Sequence, residues 1–114
     1  MPKTEIKHPD KQADTGAYSA AVEIDGWVYV SGHGPLDMVT GEVVGDEIES
    51  QTRLTLEHIQ RVLGEAGCTM DDVVKSTCHL ANIDDFPKFN AVYSEFFQGV
   101  RPARTTVQSV LLGI

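Results

Sequence analysis

The dipeptide Asp25-Gly26 stands between two short apolar runs, AAVEI and WVYV, and it restricts the fold more than any other feature of the sequence. A two-residue loop between antiparallel strands needs positive φ at both central positions, and Asp-Gly meets that need. Such a loop also sets the register, placing Ile24 opposite Trp27, Val22 opposite Tyr29 and Ala20 opposite Ser31. Side chains alternate along a strand, so Tyr18, Ala20, Val22, Ile24, Trp27, Tyr29 and Ser31 fall on one face. Tyr18 and Ser31 become diagonal neighbours at the open end of the hairpin, close enough to serve one pocket.

Residues 32–47 hold four glycines and a proline and read as a loop with a short ribbon around Thr40-Gly41. Over 48–66, Ile48, Thr52, Thr55, Leu56, Ile59, Leu63 and Ala66 recur at helical spacing. Glu49, Arg53, Glu57, Arg61 and Glu65 line the opposite face, where i,i+4 ion pairs are expected, and Gly67 is a natural stop. Residues 72–81 read as a strand with Val74, Ser76, Cys78 and Leu80 pointing one way. A second helix over 85–98 begins at Asp85 as N-cap, tolerates Pro87 in its first turn, and buries Phe86, Phe89, Asn90, Tyr93, Phe96 and Phe97. Asn90 is the polar member of that aromatic stripe, and a buried amide must find partners. A last strand over 103–112 carries Arg104, Thr106, Gln108 and Val110 on one face.

The order hairpin, helix, strand, helix, strand predicts one α+β domain over 1–114, a mixed sheet with two helices on one face. Two helices cannot cover both faces. The uncovered apolar sheet predicts an oligomer.

Seventeen acidic against nine basic residues give a net charge of −8, which repels polyanions and argues against a nucleic acid or an anionic membrane as partner. The polar start MPKTEIK lacks a secretory h-region, and the longest apolar runs are too short to cross a bilayer. Cys68 and Cys78 make no disulfide framework, so a cytoplasmic protein with reduced thiols is expected. No metal is expected either. Cys78 and His79 are strand neighbours on opposite faces, and His8, His33 and His58 show no ligand spacing. Gly32-His33-Gly34 fails the dinucleotide-binding pattern because Asp37 occupies the third glycine position. Both cysteines read as small hydrophobes.

Arg104 is harder to dismiss. It opens a strand on the face shared with Thr106, where a guanidinium needs a partner. Spacing alone leaves two readings open: an ion pair with one of the many carboxylates, or a clamp for the carboxylate of a substrate.

The segments GAYSAAV (16–22), VSGHGPLDMVTGEV (30–43), QTRLTLEHIQRVLGEAGCTMDDVVKST (51–77), NIDDFPKFNAVYSEFF (82–97) and RPARTTVQSV (101–110) together resemble the RidA (YjgF-type) family of reactive-intermediate deaminases. The resemblance covers nearly the whole chain in order. It implies a chorismate-mutase-like α+β fold assembled as a homotrimer, with ligand clefts between subunits. The activity implied is hydrolysis of 2-imino or 2-enamino acids to 2-keto acids and ammonia, with no cofactor. The family's carboxylate-binding arginine matches Arg104 and its pocket tyrosine Tyr18, the pair expected to be catalytic. Ser31, Gly32 and Asn90 match substrate-binding positions.

Three departures from the family pattern stand out. Thr106 replaces a frequent cysteine. His33 replaces a common glutamine, as a proton shuttle or as a hydrogen-bonding or surface replacement, and both His33 and Thr106 are expected at substrate-binding positions. The family's last strand, with a glutamate that positions or activates water, lies beyond Ile114, and the natural protein is expected to continue into it. A general base contributes about 10²–10⁴-fold, so the chain as written is expected to hydrolyse poorly. Two alternatives to the deaminase follow: a trimeric binder of keto or imino acids without turnover, and a ribonuclease or translation inhibitor, which the acidic charge opposes.

Overall fold

The computed structural model describes residues 2–113. Strands β1 (Thr4–Ile6), β2 (Ala21–Ile24) and β3 (Trp27–Val30) are followed by helix α1 (Ile48–Glu65), strand β4 (Lys75–Leu80), helix α2 (Phe86–Phe96) and strand β5 (Ala103–Gln108). The α+β class is the one expected from the sequence.

The Asp25-Gly26 turn forms with φ of 52° and 80°. It gives the expected pairs Ile24 with Trp27 and Val22 with Tyr29, and Ser31 N–H donates to Ala20 O at 3.0 Å. The ribbon near Thr40-Gly41 also forms. Leu36 bridges Val43, and Asp37 Oδ1 accepts from the Val39 and Thr40 amides at 2.8 and 3.0 Å. Those two amides hold the Asp37 carboxyl below its ordinary value.

Strand β1 was not expected. It pairs antiparallel with β2, Ile6 opposite Ala21, and only Ile6 of its three residues is buried. The strands hydrogen-bond in two groups rather than one continuous sheet: an antiparallel β1-β2-β3 ladder and a parallel β4-β5 ladder. Both pack on the same core. Val28 and Val30 pack against the cluster built of Leu56, Leu63, Met70, Leu80, Phe89, Tyr93 and Phe97, and also against the smaller cluster of Ile6, Ala20, Ala21 and Val62.

Several local expectations change. Helix α1 ends at Glu65 and is stopped at Gly67 as expected, with φ of +74° and a Schellman pair: Cys68 N–H to Leu63 O at 2.9 Å and Gly67 N–H to Gly64 O at 3.1 Å. Its arginines do not form i,i+4 pairs. Arg53 reaches Glu95 of α2 at 2.6 Å, and Arg61 reaches Asp10 at 2.8 Å. Asp85 is not the side-chain cap, because its backbone is already helical at φ −77°, ψ −2°. Extended Asn82 takes that role, its Oδ1 accepting from the Asp84 amide at 2.9 Å. Val74 faces outward, since the strand begins only at Lys75, and Val73 packs inward instead. Strand β5 stops at Gln108 rather than 112. Its partner β4 ends at Leu80, whose carbonyl takes the Ser109 amide at 2.9 Å.

The side of the ladders away from the helices carries Trp27, 59% exposed, and Tyr29, 63% exposed. Among the described residues no helix is long and apolar enough to cross a membrane.

Candidate functional site around Arg104

Strand β5 runs beside β4 with Arg104 opposite Ser76 and Thr106 opposite Cys78. These four side chains are half-buried and share the face turned towards α2. Helix α2 presents Phe86, Phe89, Asn90 and Tyr93 at i, i+3, i+4 and i+7, one stripe of its surface. The two elements meet at Arg104.

The guanidinium carbon lies 4.7 Å from the Tyr93 ring centroid, 5.3 Å from Phe86 and 6.0 Å from Phe89. These are cation–π distances, and such contacts stabilise most where water is scarce. Arg104 Nη1 donates to Asn90 Oδ1 at 2.7 Å. That contact answers the expectation that the amide on the aromatic stripe must be paired. Among the described residues no carboxylate lies within salt-bridge distance of Arg104; the two ion pairs involve Arg53 and Arg61. Of the two readings left open by spacing, the ion pair finds no partner among the described residues. A guanidinium carries five N–H donors in a planar fork suited to a carboxylate.

Beside it, Thr106 Oγ1 is buried without a hydrogen-bond partner among the described residues. Ser76 Oγ shares a hydrogen bond of 2.7 Å with the Tyr93 hydroxyl. Burial pushes the Tyr93 phenol and the Cys78 thiol above their ordinary values, so both stay protonated near neutral pH. Cys78 is thus a small hydrophobe, as the sequence suggests, and not a ready nucleophile.

The remaining expected site residues gather at the open end of the hairpin. Ser31 Oγ donates to Ser19 O at 2.5 Å. His33 Nε2 donates to Ala20 O at 3.3 Å, and burial holds its imidazole below the ordinary value despite that carbonyl. Gly32 is exposed, and a side chain built there would meet open space. Tyr18 precedes the strand. Its hydroxyl bonds Thr15 Oγ1, and Lys11 Nζ lies 4.7 Å from its ring centroid. Tyr18 and Ser31 therefore make their hydrogen bonds to other partners, not to each other.

The structure thus forms two groups: Arg104 with Asn90 and Thr106, and the hairpin end with Tyr18, Ser31, Gly32 and His33. Two open surface hollows, of ≈ 410 and ≈ 620 Å³, are lined by neither group. Among the described residues no cluster of metal-ligating side chains occurs.

Sequence reading missed one buried feature altogether. The Asp10 amide donates to His8 Nδ1 at 3.1 Å, His8 Nε2 lies 3.0 Å from His58 Nδ1, and His58 Nε2 lies 2.7 Å from Leu36 O. A carbonyl can only accept and an amide N–H can only donate. Both neutral imidazoles must therefore carry their proton on Nε2, giving one directed chain of donors. Helical spacing offered a signal, since His58 lies between Thr55 and Val62 on the buried side, but a histidine is not counted with apolar residues.

Two helices laid over an antiparallel and a parallel ladder define a small α+β protein with the fold of known Rid structures. The chain superimposes on the Rid-family protein YyfA of Yersinia pestis with a TM-score of 0.89 at 38% identity, covering 97% of this chain and 89% of that one. It superimposes on Escherichia coli TdcF with bound serine at 0.86 and 31% identity, covering 96% and 87%. The family model described as Endoribonuclease L-PSP matches residues 9–113. The chain belongs to this family, the RidA/YjgF group. A RutC family protein of Pyrococcus abyssi is 43% identical over 93 residues, covering 82% of this chain and 73% of that protein. The 2-iminobutanoate/2-iminopropanoate deaminase of Mus musculus is 37% identical over 100 residues, covering 88% and 74%.

Proposed function

We propose that this protein hydrolyses small reactive 2-imino and 2-enamino acids to 2-keto acids and ammonia. The reading rests on one observation: Arg104 holds its guanidinium half-buried on aromatic rings with no carboxylate from the described residues. The deaminases of mouse and rat, 37% and 39% identical, support it at the level of the family.

In this reading the substrate carboxylate takes the free edge of Arg104, while Asn90 keeps the fork oriented. Tyr18, Ser31, Gly32, His33 and Thr106 shape the rest of the pocket. The hairpin end of one protomer faces Arg104 of the next across a cleft of a homotrimer. Water adds to the imine carbon and a proton passes to nitrogen. The resulting carbinolamine collapses to the ketone as ammonia leaves. The exposed Trp27 and Tyr29 support assembly, because an uncovered apolar sheet is costly in water.

The test is a coupled assay in which a dehydratase supplies 2-aminoacrylate and keto-acid release is followed. Arg104→Ala is expected to lower kcat/KM about a hundredfold, the worth of roughly two charge-assisted hydrogen bonds. Parent-like activity in that variant would refute the clamp. A second reading, a binder without turnover, is favoured by the serine held in the TdcF structure. Keto-acid binding with no rate enhancement would select it.

A further inference from the structure

Arg104 is held from two directions by a closed circuit. Its backbone is paired in register with Ser76. Ser76 Oγ is bonded at 2.7 Å to the Tyr93 hydroxyl, and the Tyr93 ring lies under the Arg104 guanidinium at 4.7 Å. Tyr93 is 4% exposed, tilted at 40° against Phe89 with centroids 5.6 Å apart and at 34° against Phe97 at 4.5 Å. A ring so enclosed has little freedom to move. Its phenol, kept protonated by burial, is fixed at the far end by the very strand residue opposite the arginine.

We propose that Tyr93, clamped by Ser76, is a positioning residue for Arg104, setting the tilt of the guanidinium so that its free donor edge can meet a carboxylate in plane. This rests on the assignment of Arg104 as the carboxylate clamp. Asn90 fixes one nitrogen of the fork, but a single hydrogen bond leaves rotation about its own axis. The Tyr93 ring, with its centroid 4.7 Å from the guanidinium carbon, restricts that rotation. Phe86, at 5.3 Å, flanks the same cation without a polar anchor of its own.

The role predicts a difference between ligands that a purely structural role would not. Tyr93→Phe keeps the ring and loses the tie; Ser76→Ala loses the tie from the other side. Both are expected to weaken pyruvate binding by about three- to tenfold while leaving the neutral analogue pyruvamide unchanged. Equal weakening of both ligands, or none, would overturn the proposal.

A second readout follows Arg104 itself. In nitrogen-15 spectra of the free protein its side-chain Nη signals should be resolved in the parent and exchange-broadened in both variants. Identical spectra would overturn the inference even if no ligand bound. Failure of the parent to bind pyruvate would instead count against the clamp itself.

Discussion

An asparagine on an aromatic stripe and an arginine on the inner face of a strand are conspicuous because neither can be buried without a partner. That necessity made Asn90 and Arg104 legible in the sequence, and the structure pairs them at 2.7 Å. Cys78 illustrates the same reasoning in reverse. It lies opposite Thr106 in the ladder, and burial pushes its thiol up although Arg104 opposes the shift. Iodoacetamide should therefore label Cys78 far more slowly in the folded protein than in urea, as read by mass spectrometry of the modified peptide. Rapid labelling at pH 7 would show a thiolate that the packing does not allow. The residues hardest to foresee are those whose chemistry depends on a distant neighbour. Nothing near His58 in the sequence announces His8, fifty residues away.

At the scale of elements, the hairpin and both helices were readable because their signals are local. A turn dipeptide, a 3.6-residue period and a terminal glycine each act within a few residues. Long-range choices were not. Arg53 and Arg61 had acidic neighbours at i,i+4 yet chose Glu95 and Asp10, where the side chains converge across elements. Strand β1 escaped notice because three residues with one buried isoleucine carry almost no pattern.

The chain of donors from Asp10 through His8 and His58 to Leu36 joins the segment after β1, helix α1 and the loop after β3. An added proton on the His8 imidazole would meet the Asp10 amide donor head-on. Burial and His58 lower the His8 pKa; Asp10 opposes, while Arg61 and His33 add to the lowering. The folded protein thus binds fewer protons than the unfolded chain below the ordinary histidine value of 6.5. Stability should be full above that pH, fall as pH drops through it, and level off below the lowered folded value. His33 acts in the same direction. His8→Gln should be less stable at pH 7.5 by about 1–2 kcal/mol, the cost of disturbing a buried hydrogen bond, yet show a flatter profile. Urea unfolding from pH 7.5 to 5 checks this, and an unchanged slope would count against the relay.

At the scale of the whole molecule, the sequence foresaw a sheet face left bare by two helices, and the structure leaves Trp27 and Tyr29 outward on that face. Which strand face turns inward was open until packing chose Val28 and Val30 for the core. The separation of the strands into two ladders was not legible, since no residue pattern records which strands bond. If the bare face is where copies meet, replacing Trp27 and Tyr29 together with lysine should yield a folded monomer by sedimentation velocity, with keto-acid binding lost alongside. An unchanged sedimentation coefficient would place the interface elsewhere.

Trp27 is the only tryptophan in the chain. The fluorescence of this protein therefore originates chiefly from one indole on the bare face, so its colour tracks whether that face is wet. If copies of the chain meet on that face, dilution that separates them should move the emission towards red, and reassembly should bring it back, with no dye attached.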